Sequence, residues 1–434
     1  MPQEESLKAS AHAAFHAALS AAGPGPRVAE WLAAHPQAAR PRGRLIIAAV
    51  GKAACAMVAG ALQERAAAPD DVLVVTKTGH DAACPAGVGG LWQTGHPEPD
   101  TRSLAAGAAL LERVRGLGAD DELLLLLSGG ASALADVLPE GLSAEDWAAS
   151  HAALVAAGLP IQSINAVRKH LSGLKGGQLA RAAAPARVTA LVLSDVIGDD
   201  PAVIGSGPAA ADPTTFAEAC AIARDVAGFP AAALALLRRG EAGALAETPK
   251  AGELPQARNI VVANNRAALE AAAGELARRG LPPLILTSRL QGEAREVARA
   301  VAAVGLEAAA AGHPASPPVA LLWGGETTVT LGPAPGEGGR NQELALAMAE
   351  DLAGWVGVGA LCAGTDGTDG PTDAAGAWVD GTTWERAGAS AGRAALAGHD
   401  SGGLLRRLGD RVVTGPTDTN VMDLAIMLVH GGER

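Results

Sequence analysis

Near its C-terminal end the chain reads Gly364-Thr365-Asp366-Gly367-Thr368-Asp369-Gly370-Pro371-Thr372-Asp373, with three carboxylates spaced by small residues. The segment makes a poor helix, a poor strand and a poor core. Glycine lets a ligand approach the main chain closely. Carboxylates on such a loop suit Mg²⁺, a hard cation that takes oxygen ligands and shares them with phosphate. Taken alone, the segment reads first as an Asp- and Gly-rich surface turn.

Other segments have the same character. Ser128-Gly129-Gly130-Ala131-Ser132, ahead of an expected helix, is a natural anion site, because backbone N–H groups and the helix dipole would face the ligand. Lys52 follows the apolar run Leu45–Val50 at an expected helix start, where the dipole prefers acids, so its charge points to function. Asp195 closes an apolar stretch and reads as a base, a metal ligand or a cap. Arg168-Lys169-His170 is the main basic cluster, either a solvated helix face or a carboxylate pocket. Gly324-Gly325-Glu326 and Gly338-Gly339-Arg340-Asn341 complete the set. His80, Cys84 and His96 match no compact zinc spacing. The chain has no GxxxxGK[ST] loop and no GxGxxG after a strand.

The elements that must position these residues alternate. Strands are expected at 45–50, 72–76, 122–127, 188–193, 259–263, 283–286, 319–323, 327–331, 357–362 and 411–413. Helices are expected at 52–65, 102–115, 144–157, 214–226, 266–279, 292–311, 341–352 and 418–429. This alternation argues for α/β layers with largely parallel sheets, whose ligands bind at the carboxyl ends of strands. The polar, Gly- and Pro-containing stretch 241–255 reads as a linker between an N-terminal domain, 1–240, and a C-terminal domain, 256–434.

Composition sets outer bounds. The 434 residues are 49% hydrophobic and 18% charged, enough to bury large cores. A formal net charge of −12 argues against a nucleic-acid-binding face, so an anionic substrate needs a local basic pocket. The four cysteines are dispersed, which fits a reducing cytoplasm, and no apolar run reaches the ~20 residues of a membrane helix. Met1-Pro-Gln-Glu-Glu carries no signal-peptide core.

In their order, these segments resemble the class II glycerate 2-kinases, whose C-terminal part is the MOFRL domain. The carrying segments include Gly51-Lys52-Ala53-Ala54, Gly95-His96-Pro97-Glu98-Pro99-Asp100, Leu127–Leu134, Asn165–Ser172, Ser194–Asp199, Gly324–Thr327, Gly338–Glu343 and the Asp-rich loop. Ala131 stands where the family usually has glycine, and Asp418 where it often does. The resemblance implies two α/β domains, the first Rossmann-like, with an interdomain active-site cleft. It implies phosphorylation of the D-glycerate 2-hydroxyl by ATP with Mg²⁺, in a cytoplasmic protein, possible as a homodimer. Family precedent gives Lys52, Asp195 and Arg340 as catalytic residues. On that basis Ser128, Gly129, Gly130, Ser132, Gly325, Glu326 and Asn341 are expected to hold the nucleotide. Arg168 or Lys169 is expected to hold the substrate carboxylate, and Asp366 and Asp369 the Mg²⁺. The alternatives are an NAD(P)H-dependent hydroxypyruvate reductase, a name members of the family have carried, and a non-catalytic small-anion sensor.

Overall fold

Runs such as Leu-Ile-Ile-Ala-Ala-Val and Glu-Leu-Leu-Leu-Leu-Leu have no polar face, which is the pattern of parallel strands covered on both sides. The computed structural model describes residues 2–39, 41–63 and 70–433. The helix expected over 52–65 starts at Ala54, and its last two expected residues lie outside the described ones. Contacts divide the chain into two units, residues 24–262 and residues 1–23 with 263–434.

The first unit is built on a six-stranded sheet. Its strands are β1 (Leu45–Val50), β2 (Asp71–Lys77), β3 (Gly90–Thr94), β4 (Glu122–Leu127), β5 (Arg187–Leu193) and β6 (Ala257–Ala263), in the order β3-β2-β1-β4-β5-β6. The pairs β1/β2, β1/β4, β2/β3 and β4/β5 are parallel. Alternate β1 residues feed opposite faces: Ile46, Ala48 and Val50 pack with Leu110 and Leu179, while Leu45, Ile47 and Ala49 pack with Met57 and Val28. A third core, around Trp147, Leu154, Val167 and Phe216, ties together the helices Ala144–Ala156, Ile161–His170 and Phe216–Arg224.

The stretch read as a linker, 241–255, is pinned to this unit. Thr248 is buried and donates to Asp212 at 3.0 Å. Glu247 accepts from the Phe216 N–H at 3.0 Å and contacts His170 at 2.8 Å. The next strand, β6, completes the first sheet, so the unit boundary falls at 262/263. The first helix, Pro2–Ala21, packs on the helix Asn265–Arg278, which is why residues 1–23 belong with the C-terminal segment.

The second unit's strands are β7 (Pro283–Leu290), β8 (Val319–Gly325), β9 (Val356–Gly364), β10 (Gly376–Asp380), β11 (Arg411–Val412) and β12 (Asp423–Glu433), in the order β11-β10-β9-β12-β8-β7. Here the sheet is mixed: β7/β8 is parallel, while β12 runs antiparallel to β8 and β9, and β10 to β9 and β11. The helix expected over 418–429 is β12. As a central strand it is buried on both faces, and such an unbroken apolar run has no period to distinguish strand from helix. The strand expected over 327–331 is reduced to an isolated bridge between Glu293 and Thr328. Among the described residues, no helix is long and apolar enough to cross a membrane.

Candidate active site

In the first sheet the strand order reverses between β1 and β4, and open α/β sheets bind ligands at such a reversal, outside the carboxyl ends of the strands. Lys52 follows β1 there, and Ser128-Gly129-Gly130 follows β4. The two turns are stitched together. The Lys52 N–H donates to the Gly129 carbonyl at 2.9 Å, and the Ser128 N–H to the Val50 carbonyl at 3.1 Å. The Ala53 N–H donates to Ser128 Oγ at 3.0 Å. Gly51 has φ +140°, and a Cβ there would lie 2.1 Å from Ser128 Oγ, so the close approach needs glycine.

This clamp uses part of the expected anion loop. The Ser128 hydroxyl is buried and already accepts a bond, and the helix that follows, Ala131–Leu134, is a single turn. The loop positions Lys52 through the Ser128 N–H and hydroxyl and the Gly129 carbonyl, while the N–H groups of Gly129 and Gly130 take no part in these bonds. Gly130, at φ +85°, has room for no side chain: a Cβ would lie 2.9 Å from the His96 ring and 3.6 Å from Lys52 Cγ. Ser132 is tied laterally, its Oγ 2.8 Å from that of Ser206, which donates to Asn165 Oδ1 at 3.2 Å.

Asp195 follows β5 along the same edge. Desolvation raises its pKa above the ordinary carboxylate value, opposed by its own backbone N–H and by the charge of Lys52. That favours a group able to take up a proton. His96 is driven the other way, down to about 4, by burial and then by the charges of Lys52, Lys77 and His80.

A cavity of about 820 Å³ opens beside these residues, lined by His96, Gly130, Ser132, His151 and Arg168 among others. That is within the usual range of small-molecule sites, about 300–1,000 Å³. His151 is 6% exposed, yet neither ring nitrogen has a hydrogen-bond partner. Burial, with Lys175 and Arg168 adding to it, holds this imidazole neutral, with a pKa of about 2. Arg168 Nε is likewise buried without a partner.

Behind Arg168 sits an acid that the sequence reading passed over. Asp136 is fully buried and accepts from the Val137 N–H at 2.8 Å, Ser172 Oγ at 2.5 Å, Trp147 Nε1 at 3.2 Å and Lys175 Nζ. Lys169, expected on the substrate, points elsewhere. It is 4% exposed, with Nζ 3.1 Å from Asp212 Oδ1, an oxygen that also receives the Thr214 hydroxyl at 2.8 Å. Arg168 is therefore the member of the basic cluster that lines the cavity.

In the second unit Arg340 begins the helix Arg340–Leu352 and meets two carboxylates: Asp423, at 2.6 and 2.9 Å, and Glu326, at 3.0 Å. Burial opposes its charge, and Asp423 and Glu326 outweigh that, raising its pKa. Asp369, expected as a Mg²⁺ ligand, caps this helix instead. Its carboxylate accepts from the N–H groups of Asn341 at 3.0 Å and Gln342 at 2.8 Å, and from Gln342 Nε2 at 3.0 Å. A Cβ at Gly339 would lie 2.4 Å from Asp369, so glycine at the helix start admits the acid. Desolvation raises Asp369 to about 6, against the two backbone donors.

Asn341 is buried against the same acid, and its Oδ1 has no partner. Gly325, at φ +141°, packs where a Cβ would lie 2.3 Å from the Leu290 carbonyl oxygen. Gly325, Glu326, Asn341 and Asp423 line a cavity of about 10 Å³, room for a water rather than a nucleotide. Asp366 is partly exposed, and its Oδ1 accepts the Thr368 N–H at 3.1 Å in a turn. Among the described residues, no three His, Cys, Asp or Glu side chains cluster as metal ligands, and that includes His80, Cys84 and His96. Asp366 offers one partly exposed carboxylate, and Mg²⁺ sites can be completed by substrate phosphates and waters around a single carboxylate.

Residues 10–238 match a family described as a domain of unknown function, DUF4147, and residues 319–423 match the MOFRL family. An Agrobacterium vitis protein named as a candidate hydroxypyruvate reductase is 46% identical over 398 residues, covering 90% of this chain and 88% of that protein. The D-glycerate 2-kinase of Thermotoga maritima is 40% identical over 388 residues, covering 89% of this chain and 91% of that enzyme. The crystal structure of a Thermotoga maritima glycerate kinase matches with a TM-score of 0.90 at 38% identity, over 98% of this chain and 100% of that one.

Proposed function

The chain belongs to the glycerate kinase family formed by the DUF4147 and MOFRL regions, and on that premise we propose that it transfers the terminal phosphoryl group of ATP to the 2-hydroxyl of D-glycerate, giving 2-phosphoglycerate and ADP. The observation that carries the substrate class is the pair of unsatisfied groups in one cavity, the His151 ring and Arg168 Nε. A buried polar group without a partner costs about 1–3 kcal/mol. A small hydroxy acid relieves both: Arg168 takes the carboxylate and neutral His151 takes a hydroxyl.

Phosphoryl transfer asks mainly for positioning and charge stabilisation. Asp195, with its raised proton affinity, orients the 2-hydroxyl and accepts its proton as the oxygen attacks. Lys52, fixed by the Ser128–Gly129 clamp, offsets charge on the transferred group. Arg340 is the second unit's candidate phosphate ligand, released from Glu326 while Asp423 keeps its orientation. Asp366 would hold Mg²⁺ arriving with the nucleotide, which would supply further screening of phosphate charge.

The test is ³¹P NMR of the product made from ATP, Mg²⁺ and D-glycerate. A 2-phosphoglycerate resonance is expected. A 3-phosphoglycerate resonance overturns the regiochemistry, and ATP left unconsumed overturns the kinase reading. The reductase reading has two supports, a relative's name and a strand order shared with dinucleotide-binding folds. Against it, the first βα turn is Gly51-Lys52-Ala53-Ala54-Cys55-Ala56, with one glycine. β2 also ends in Lys77 rather than in the acid that holds an NAD ribose. NADH oxidation with hydroxypyruvate would restore the reductase.

A further inference from the structure

We propose that Lys77, acting with Lys52 and His96, forms a phosphate-binding subsite along the carboxyl ends of β1, β2 and β3. The inference rests on the phosphotransferase reading and adds to it a residue that the sequence motifs did not single out.

The sheet register brings the three residues to one edge. Val50 pairs with Val75, and Lys77, the last residue of β2, pairs with Thr94. Lys52 and His96 each stand two residues beyond the last paired positions of β1 and β3, Val50 and Thr94. Parallel strands lie about 4.8 Å apart, so groups on neighbouring strand ends can share one polyphosphate.

Charge supplies the second argument. Among the described residues, the side chains of Lys52 and Lys77 make no hydrogen bond or ion pair. By contrast, Lys169, Lys175 and Lys250 each hold a carboxylate. In a chain with net charge −12, two ammonium groups at one edge, neither held in an ion pair although the charge of Lys52 reaches Asp195, form a local anion trap. The Lys52 and Ala53 N–H groups are already used in the clamp, so the charge for a phosphate must come from these side chains. The depressed proton affinity of His96, due first to burial, agrees in its second cause: Lys52 and Lys77 both act on the ring, and a neutral ring can donate one hydrogen bond to a phosphate oxygen without adding charge.

The phosphate could belong to the nucleotide or to the phosphorylated product, and separate measurements distinguish them. Inorganic pyrophosphate is titrated into the full chain and into Lys77→Met and Lys77→Arg by calorimetry, while the His96 imidazole is followed by NMR. Thermal unfolding checks that each variant is folded. The expected result is at least a tenfold loss of pyrophosphate affinity in Lys77→Met, with most of it recovered in Lys77→Arg. Pyrophosphate should raise the His96 pKa in the unmodified chain and raise it less in Lys77→Met. A tenfold rise in KM for ATP assigns the subsite to the nucleotide, and a matching rise in the inhibition constant of 2-phosphoglycerate assigns it to the product. Pyrophosphate affinity within twofold of the unmodified chain in a folded Lys77→Met overturns the subsite, even where D-glycerate is phosphorylated normally. No turnover of D-glycerate by the unmodified chain overturns the kinase reading instead, and pyrophosphate binding still reads the subsite.

Discussion

Asp423 grips Arg340 with both oxygens, Oδ2 at 2.6 Å from Nε and Oδ1 at 2.9 Å from Nη2. The first residue of β12, the central strand, thereby fixes the first residue of the helix Arg340–Leu352. A planar guanidinium can keep this two-point contact while offering its remaining N–H groups to a phosphate, and an ammonium cannot.

Arg340→Lys should therefore lower turnover by roughly 100-fold, the scale of losing one oriented charge donor. The circular dichroism spectrum should be unchanged. Near-normal turnover removes Arg340 from the chemistry.

The two acids of the Asp-rich loop should separate. Asp369→Ala removes a helix cap and should cost about 1–2 kcal/mol in denaturant unfolding. Asp366→Asn should leave stability within about 0.5 kcal/mol and raise the Mg²⁺ concentration for half-maximal turnover. An unmoved Mg²⁺ titration makes Asp366 a turn residue only.

Gly130→Ala meets both a left-handed backbone and the His96 ring. Stability should fall by about 1 kcal/mol from the backbone alone. The displaced ring should lower kcat/KM by more than that stability loss explains. Unchanged kinetics in a folded variant would show that the contact between Gly130 and His96 plays no part in turnover.

The buried acid Asp136 binds Lys175, Ser172 and Trp147. Asp136→Ala strands the Lys175 charge and should cost about 3–5 kcal/mol. Adding Lys175→Met to that variant should recover part of the loss. A single variant as stable as the unmodified chain contradicts this account.

Two histidines set an acid limit. The folded pKa of His151 is about 2 and that of His96 about 4, both below the ordinary imidazole value of 6.5. The unfolded chain then binds more protons, so stability is complete above pH 6.5 and falls as pH drops through it. At pH 5 the His151 ring should cost about 2 kcal/mol, and the more solvent-screened His96 ring less. His151→Leu should flatten the stability profile between pH 5 and 7, measured by urea unfolding. A profile as steep as before would place the titration elsewhere.

Much of the first unit was legible in the sequence. Short unbroken apolar runs that alternate with helical segments and end in Gly-Lys, Ser-Gly-Gly and Ser-Asp suit parallel strands covered on both faces, and the sheet places Lys52, Ser128 and Asp195 at their carboxyl ends. Lys77 ends its strand much as Lys52 follows its own, a signal that was present and unread. The second unit was less legible. Met422-Asp423-Leu424-Ala425-Ile426-Met427-Leu428-Val429 has no period, because a central strand covered on both faces needs none.

The opening loop divides the two kinds of information. By itself the sequence determined that Asp366 and Asp369 sit on a glycine-spaced turn at a strand end, because nothing else is compatible with that composition. Only the tertiary structure decided that Asp369 is a helix cap and Asp366 is not, and that Lys169 is paired while Arg168 lines the cavity. Residue type and spacing fix which groups can hold charge. Which of them meet a partner inside the protein depends on elements far apart in the chain, such as residues 341 and 369 or 169 and 212, and local sequence carries no term for that distance.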